Sequence, residues 1–424
     1  MKVWLLQTGE PLHIDIGASR PMRAMNLANA LVESGHEVVL WSSAFYHQEK
    51  RHRVQGSERI ILSPFLEIRL IPSPGYKRNI GLGRLWDHAI LARNLSRELE
   101  VETNRPDVAF IGFPPIEAAA VMTRWLAARG IPCVVDVKDQ WPSIFIDALP
   151  AVFKRIGRIA LIPYFYYGRR SFRDAIALTS MASDFLQWAA EFAGREISEL
   201  DRVVPLTTST GQVSNAELEE AGRWWDQRGV NADGKFRVCF IGSHSRAFDI
   251  GPVAKAAKEL AQTEKDCQFV LCGDGEESSA WKEQMACLDN VLFPGWVDRP
   301  KIEALALRSN AALAPYHNSD NFTMNVPNKV IDSLALGLPV LSPLHGEVRR
   351  LILHFKVGLS YGTIVEKSLE RCINEMIAEP AMRNKLSDNA LKLFHEHFAF
   401  ETVYGGLVSH LEMLTRTGKK SNED

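Results

Sequence analysis

The sequence predicts an α/β protein made of two Rossmann-like domains that face a cleft. Its 424 residues exceed what one compact core usually holds and suit two or three domains of ~150 residues each. Hydrophobic residues make up 46% and charged residues 24%, which is ordinary for a globular protein and excludes a disordered or fibrous one. In both halves, short apolar runs of strand type alternate with helical patterns, which indicates parallel sheets.

The first half reads as one doubly wound domain, which we place at residues 1–205. An apolar run at 3–6 is followed by helically spaced apolar residues, including Met25 and Leu31, and then by a second apolar run at 38–41. This order of strand, helix and strand opens a parallel sheet. Further strands are predicted at 107–111, 131–137 and 175–179, with helices at about 84–103, 116–129 and 181–193.

The second half repeats this alternation of strands and helices after a segment of different amino-acid composition. Residues 206–235 are rich in Thr, Ser, Gly and charged residues, and we interpret them as a linker with a short helix at 215–228. A second domain is predicted at 236–400, followed by a C-terminal helix and tail at 401–424. Its strands are expected at 236–241, 268–271, 290–293, 311–314 and 339–342.

The charge and the cysteine content limit which binding partners and which cellular compartment are expected. The net charge is only −2, which does not suggest nucleic acid as a partner. Residues 1–205 hold 25 Lys and Arg against 22 Asp and Glu, whereas the remainder holds 24 against 29. The six cysteines form no C-x-x-C pair, and no run approaches the ~20 apolar residues of a membrane span. We therefore expect a cytoplasmic protein.

Several short motifs follow the predicted strands of the second half. Gly242 and Gly273 lie at strand ends, where glycine lets the backbone approach a ligand or simply permits a tight turn. Trp296 follows another strand and could lie beside a nucleobase or pack in the core. Lys329 stands at the start of a predicted helix, where a cation is disfavoured unless an anion offsets it. The alternative is a solvated surface pair of Lys329 with Asp332.

The order and spacing of these motifs resemble the nucleotide-sugar domain of retaining glycosyltransferases of family 4. The similarity is closest to the bacterial branch that builds O-antigen, capsule and exopolysaccharide, and landmarks of the first half such as Arg105-Pro106-Asp107 agree with it. The motifs are Gly242-Ser243-His244-Ser245-Arg246-Ala247, Gly273-Asp274-Gly275, Pro294-Gly295-Trp296-Val297, and Pro327-Asn328-Lys329 with Asp332 and Gly337-Leu338-Pro339-Val340.

The resemblance implies the GT-B fold, which leaves room for a C-terminal helix that returns to the N-terminal domain. It implies a hexosyl- or N-acetylhexosaminyltransferase that uses a UDP- or GDP-type sugar as substrate. Lys329 and Arg246 match positions suited to the donor diphosphate. No cofactor or metal is expected, since the sequence has no Asp-x-Asp. The implied donor-binding residues are Gly17, Gly242, Ser243, Gly273, Asp274, Gly275, Trp296, Val297, Pro327, Asn328 and Asp332.

The acceptor is expected on the first domain. Asp139 is the candidate for contact with the acceptor or the transferred sugar, and Arg23 and Asp136 are placed on the same side. The alternative is that Asp136, Lys138 and Asp139 form an ion-pair cluster. In the family the donor phosphate itself helps to deprotonate the acceptor hydroxyl, so no dominant protein base is implied.

One segment of the first domain suggests a membrane surface. Residues 151–173 contain six Lys and Arg, among them Arg169 and Arg170, four consecutive aromatic residues and no acidic residue. Such a composition suits the anionic inner face of the plasma membrane and a polyprenyl-diphosphate-linked saccharide acceptor. The alternative is that the aromatic residues are core and the arginines line a solvated helix.

Two departures from the family pattern keep other functions open. Met324 stands where many members have a glutamate near the transferred sugar, and Asp332 replaces the glutamate that binds the ribose. The alternatives are a sugar-nucleotide epimerase of the same fold and a degenerate, non-catalytic partner subunit.

Overall fold

The computed structural model describes residues 1–15, 21–78, 81–147, 149–208, 213–263, 266–362 and 367–420. The chain forms two compact units, one of Met1–Val204 with Val403–Asp424 and one of Pro205–Thr402. Both are built on mainly parallel sheets with helices between the strands, so the predicted α/β class is confirmed. The return of the C-terminal helix to the first unit is also found.

The first unit is built on an eight-stranded sheet in the order β10-β9-β8-β7-β1-β2-β6-β5, with β5 antiparallel to β6. The strands of this sheet are β1 (Lys2–Leu6), β2 (Glu37–Ser43), β5 (Glu58–Ser63), β6 (Leu66–Ile71), β7 (Val108–Phe113), β8 (Cys133–Val137), β9 (Ala177–Ser180) and β10 (Arg202–Val203). Two further strands, β3 (Phe45–Tyr46) and β4 (Arg51–His52), form a separate two-stranded sheet. Its helices are α1 (Arg23–Glu33), α2 (Leu82–Val101), α3 (Ile116–Ala127), α4 (Ser143–Asp147), α5 (Lys154–Ala160), α6 (Ile162–Asp174) and α7 (Ser183–Ala193).

The second unit contains a six-stranded parallel sheet in the order β13-β12-β11-β14-β15-β16. Its strands are β11 (Phe236–Ile241), β12 (Cys267–Cys272), β13 (Val291–Gly295), β14 (Ala311–Leu313), β15 (Val340–Ser342) and β16 (Gly358–Ser360). Its helices are α8 (Asn215–Asp226), α9 (Gly251–Ala261), α10 (Ser278–Gln284), α11 (Arg299–Ala306), α12 (Asp320–Thr323), α13 (Asn328–Ala335), α14 (Gly346–Phe355), α15 (Leu369–Ala378) and α16 (Pro380–Leu393), and α17 (Phe400–Lys420) continues into the first unit.

The parallel strands are apolar on both faces because helices cover both faces of the sheet. In β11, Val238 and Phe240 belong to one buried cluster, whereas the intervening Cys239 belongs to a second cluster on the opposite face. All six residues of β7 are likewise buried. These continuous apolar runs are the signal from which the strands of both sheets could be predicted.

The segment expected to be a linker lies within the second unit instead. Ser214 and Glu217 form a capping box that starts α8. Trp225 is fully buried and donates from its indole nitrogen to the carbonyl oxygen of Lys301, 2.7 Å away. Ala221 is buried in the same cluster as Trp225, and Leu218 and Trp224 pack against it. This apolar face docks α8, so the described residues of the segment, 206–208 and 213–235, belong to the second unit.

Each sheet has a point at which the strand order reverses. In the first sheet β1 lies between β7 and β2, and in the second sheet β11 lies between β14 and β12. Loops that leave neighbouring strands in opposite directions at such a point open a crevice at the carboxyl ends of the strands. The residues after β1, β7, β11 and β14 are therefore where a ligand site is expected.

Candidate functional site

Glycines bring the strand ends of the second sheet close together. The amide of Gly242 donates to the carbonyl of Cys272 at 3.0 Å, and the amide of Gly273 donates to that of Gly295 at 2.8 Å. Gly273 has a φ of +127°, and a Cβ there would lie 1.9 Å from the carbonyl oxygen of Gly242. At this position only glycine fits, because the neighbouring backbone cannot move aside.

Lys329 occupies the space beside Gly242. Its ammonium nitrogen donates to the carbonyl oxygen of Ile241 at 2.5 Å and lies 4.5 Å from the ring centre of Phe240. A Cβ on Gly242 would come within 1.6 Å of that nitrogen. Pro327 precedes α13 and places Lys329 in its first turn. The structure thus brings together the lysine and the glycine that the sequence assigned to one diphosphate site.

Burial of the Lys329 side chain changes its acid–base chemistry. Partial loss of water lowers the pKa of Lys329 to about 8, although the carboxylate of Asp332 opposes this shift. The ammonium therefore lies at the positive end of a helix, half-buried and against two aromatic rings. A solvated surface pair does not fit this environment, whereas an anion bound beside Gly242 would stabilise the charge.

The sequence places His244 in the motif after β11 without giving its side chain a role, and the structure shows what that side chain contacts. Its ring is buried and stacks on Trp281 at 4.3 Å, and its Nδ1 lies 2.9 Å from the hydroxyl of Ser278. Its amide donates to the carbonyl of Asp274 at 2.9 Å. His244 therefore ties the loop after β11 to the loop after β12. No local pattern reveals this contact, because Trp281 is far away in the sequence.

Arg246 lies in a different environment from Lys329. Its side chain is 81% exposed and its Nε is 3.0 Å from a carboxylate oxygen of Glu277. The hydrogen bond to Glu277 raises the pKa of Arg246. The diphosphate role of Arg246 stays a prediction, and binding there requires the arginine to leave an exposed ion pair, which costs little.

The remaining predicted donor residues lie along the same strand ends, except that Gly17 is outside the described residues. Ser243, Asp274, Gly275 and Asn328 are exposed, and Asp332 is half-buried one turn beyond Lys329. Trp296 is 65% exposed at the end of β13, so it does not pack in the core. Val297 beside it packs against a buried cluster. An exposed tryptophan next to a strand end offers a flat apolar surface for a nucleobase.

In the first unit, Arg23 and Asp136 form a buried ion pair, and their placement on the acceptor side stays a prediction. Asp136 is fully buried and accepts hydrogen bonds from Nε and Nη2 of Arg23 at 2.7 and 2.8 Å and from the hydroxyl of Thr179 at 2.8 Å. Burial alone would raise the pKa of Asp136, but the charges of Arg23 and Lys138 outweigh it and hold the pKa below its usual value. This pair joins α1 to β8 inside the unit.

Asp139 remains available as the acceptor candidate. Lys138 pairs with Glu10 and lies 4.0 Å from Asp136, so the ion-pair alternative holds for these residues. Asp139 is half-buried and accepts from the amide of Gln140 at 2.9 Å. Burial raises its pKa.

A cavity of about 260 Å³ that the sequence did not predict lies at the carboxyl ends of the first sheet. Burial lowers the pKa of His88 to about 3 and that of His47 to about 4, so both imidazoles are neutral. Neutral imidazole and phenol groups hydrogen-bond hydroxyl-rich ligands. The polar lining comes from the loops after β1, β3, β6 and β8 and from α2, and it includes Glu10, His47, Tyr76, Arg84, Asp87, His88 and Lys138.

The described part of the chain shows neither a metal-binding cluster nor a membrane-spanning helix. Among residues 1–15, 21–78, 81–147, 149–208, 213–263, 266–362 and 367–420, no group of three or more His, Cys, Asp or Glu side chains could hold a metal ion. None of the helices described there has the length and apolar character needed to span a bilayer.

Comparison with known proteins places these sites in context. Residues 224–393 match the family of glycosyl transferases group 1. A 2-deoxystreptamine N-acetyl-D-glucosaminyltransferase of Niallia circulans is 24% identical over 154 residues, which is 34% of this chain and 38% of that relative. The chain thus spans little more than a third of the length of this curated relative.

Solved structures match over nearly the whole chain. A sucrose-phosphate synthase from Thermosynechococcus elongatus superposes with a TM-score of 0.64 at 14% identity, covering 98% of this chain and 99% of its own. Anabaena HepE in complex with UDP-glucose gives 0.58 at 16% identity, covering 97% and 100%. The chain therefore has the GT-B fold, and the match of residues 224–393 to the group 1 glycosyl transferases supports a glycosyltransferase.

Proposed function

We propose that this protein is a retaining glycosyltransferase of family 4 that acts in bacterial surface polysaccharide synthesis, in the O-antigen, capsule and exopolysaccharide branch. It moves a hexosyl or N-acetylhexosaminyl group from a UDP- or GDP-type sugar to a saccharide acceptor. The observation that carries the proposal is the half-buried ammonium of Lys329 beside Gly242, at the point where the strand order of the second sheet reverses. The Anabaena neighbour, whose complex contains UDP-glucose, supports the donor class.

The second unit would act mainly on the leaving group. Negative charge grows on the nucleoside diphosphate as the glycosidic bond breaks, and a fixed cation at that position lowers the barrier. Lys329 and the positive end of α13 supply such charge, and Trp296 offers a surface for the base. The acceptor hydroxyl would lose its proton to the donor phosphate, which is consistent with retention and with the absence of a dedicated protein base.

The first unit would receive the acceptor. Its cavity presents neutral imidazoles and a phenol, a chemistry that suits sugar hydroxyls. Asp139 does not line the cavity but follows Lys138, which does, and it is the proposed contact. We further propose that the acceptor sugar is linked to a polyprenyl diphosphate and that the protein works at the inner face of the plasma membrane.

A donor screen tests the function as a whole. Thermal shifts with UDP-, GDP- and dTDP-sugars should identify one nucleotide that stabilises the protein, and product analysis with that donor and lipid-linked saccharides should show transfer with retained anomeric configuration. Interconversion of the donor sugar without an acceptor would favour the epimerase. Saturable binding of the nucleotide sugar without transfer or interconversion would favour the degenerate subunit. That alternative is suggested by Met324 and Asp332, which depart from the family pattern.

Replacing Trp296 by alanine should weaken nucleotide binding while leaving the fold intact. The side chain is 65% exposed, so little packing is lost, whereas stacking on a base is worth about 1–3 kcal/mol, or roughly 5- to 150-fold in affinity. Isothermal titration with UDP and GDP measures the loss. Trp86→Ala is the matched control, because Trp86 is 62% exposed in the first unit. Equal nucleotide affinity in wild type and Trp296→Ala would remove Trp296 from the site.

Donor binding should also depend on pH through Lys329. Its pKa is lowered to about 8 in the free protein, so the ammonium loses its proton and its attraction for a diphosphate as the pH rises through that value. We expect UDP affinity to fall between pH 7.5 and pH 9 in wild type and to stay level in Lys329→Met. Titrations across this range check the expectation, and parallel curves for the two proteins would contradict it.

A further inference from the structure

A large open groove lies on the first unit among helices α4, α5, α6 and α7, and it shares no lining residue with the cavity of 260 Å³ described above. Its volume is about 1070 Å³. Four of its lining residues are arginines, and the only acidic one is Asp174. The complete lining is Ser143, Ile146, Arg158, Ile162, Phe165, Tyr166, Arg169, Arg170, Arg173, Asp174 and Trp188. We call it the arginine groove.

The arginines of this groove are held in place but are mostly not neutralised. Arg173 donates from Nε to the carbonyl of Ala193 at 2.6 Å and thereby caps the end of α7. Arg169 lies over the ring of Phe165, and Arg170 makes an exposed 3.4 Å contact with Asp174. Among the residues that the structure describes, no carboxylate pairs with Arg158 or Arg169. Such a surface attracts an anion with several oxygen atoms.

Large apolar side chains stand exposed beside the groove. They occupy successive turns leading through α5 into α6, and each exposes more than half of its surface: Val152 by 76%, Phe153 by 55%, Ile156 by 64%, Ile159 by 68% and Ile162 by 59%. Single exposed apolar residues are ordinary, but a contiguous set of this size marks an interaction surface. Tyr166 and Tyr167 are also exposed, by 56% and 47%, so for these two the alternative of a core role does not hold.

We propose that the arginine groove binds the phosphate head group of an anionic phospholipid in a bilayer, while the exposed side chains of residues 152–162 enter the acyl region. The combination excludes simpler occupants, since a soluble phosphate would explain the arginines but not the neighbouring isoleucines. Residues 151–173 carry six basic and no acidic residues, which complements an anionic leaflet. The inference deepens the proposed function, on which it rests for its membrane-bound acceptor, by naming the lipid contact.

Flotation with vesicles tests the proposal on the full chain. Wild type should bind vesicles of phosphatidylglycerol and phosphatidylcholine and should not bind phosphatidylcholine alone. The triple variant Arg158→Gln, Arg169→Gln and Arg170→Gln should lose about 100-fold in affinity, since each basic residue near an anionic surface contributes roughly fivefold. Arg173 is left in place because it caps α7. The double variant Ile156→Ser and Ile159→Ser should also lose binding, although it keeps every charge.

The control for the triple arginine variant is a second triple variant, Lys255→Gln, Lys258→Gln and Lys392→Gln. It also loses three positive charges, but from exposed lysines of the second unit. Vesicle binding by this control should match wild type, and all variants should keep the circular-dichroism spectrum of wild type. Equal partitioning of wild type and the groove variants onto vesicles would overturn the proposal. The proposal would also be overturned if wild type sediments as a dimer and the double variant Ile156→Ser and Ile159→Ser sediments as a monomer. Donor binding, measured on the same variants by thermal shift, should not change, so failure of the donor assay and failure of the vesicle assay are separate results.

Discussion

Lys329→Met is expected to lower sugar transfer by about 10²- to 10³-fold, because removing one fixed group that stabilises developing charge has effects of this order. Methionine is an unbranched apolar side chain that removes the charge, whose nitrogen lies 4.5 Å from the ring centre of Phe240 and 5.2 Å from that of Phe248. It also leaves the carbonyl of Ile241 without its donor, so the fold must be checked by thermal denaturation. The rate is measured with the nucleotide sugar that the donor screen identifies.

The control for this variant is Lys255→Met, which replaces an exposed lysine of α9 in the same unit. It should transfer sugar at the wild-type rate. If Lys329→Met is folded and retains both the donor affinity and the rate of wild type, Lys329 has no part in the reaction. If donor affinity and rate both fall, the Lys329 charge binds the diphosphate and also acts on it as it departs, which agrees with the pH dependence expected above. If only the rate falls, the charge acts on the departing diphosphate alone.

The positions of most strands along the chain could be predicted because their signal is local. Buried parallel strands are short runs of apolar residues, and β11 was predicted with the bounds that the structure has. β6 was missed because its apolar residues alternate with Glu67 and Arg69, which break the run. The proximity of Lys329 and Gly242 was likewise predictable, since both follow strands that meet at one edge of a sheet.

Contacts between segments distant in sequence could not be predicted in this way. Asp136 is the fourth residue of β8 and is fully buried, whereas Asp139 follows the strand by two residues and is half-buried. What separates them is Arg23, which is 113 residues away from Asp136. The stacking of His244 on Trp281 is a second example. A charged residue at a strand end is thus ambiguous until the helix packed against it is known.

The buried pair of Arg23 and Asp136 gives the second large prediction, which concerns stability. Arg23→Ala should lower the free energy of unfolding of the first unit by about 3–5 kcal/mol, because it leaves a buried carboxylate without its closest cation, with Lys138 4.0 Å away and the hydroxyl of Thr179 2.8 Å away. Urea unfolding followed by tryptophan fluorescence measures the change. Arg124→Ala, on the exposed face of α3, is the matched control and should cost little.

The double variant Arg23→Met and Asp136→Leu distinguishes the contribution of the two charges from the contribution of side-chain packing. It removes both charges from the interior and should be less destabilised than Arg23→Ala, since an apolar pair leaves no uncompensated ion. The dependence of stability on pH is an independent test, because the pKa of Asp136 is held low in the folded protein. The stabilisation from the pair is therefore fully present above the unfolded pKa of about 4 and is lost as the pH falls through the lower pKa of the folded protein. The stability gap between wild type and the double variant should therefore shrink in acid. A gap that stays constant from pH 7 to pH 3 would mean that Arg23 stabilises the unit by packing rather than by its charge.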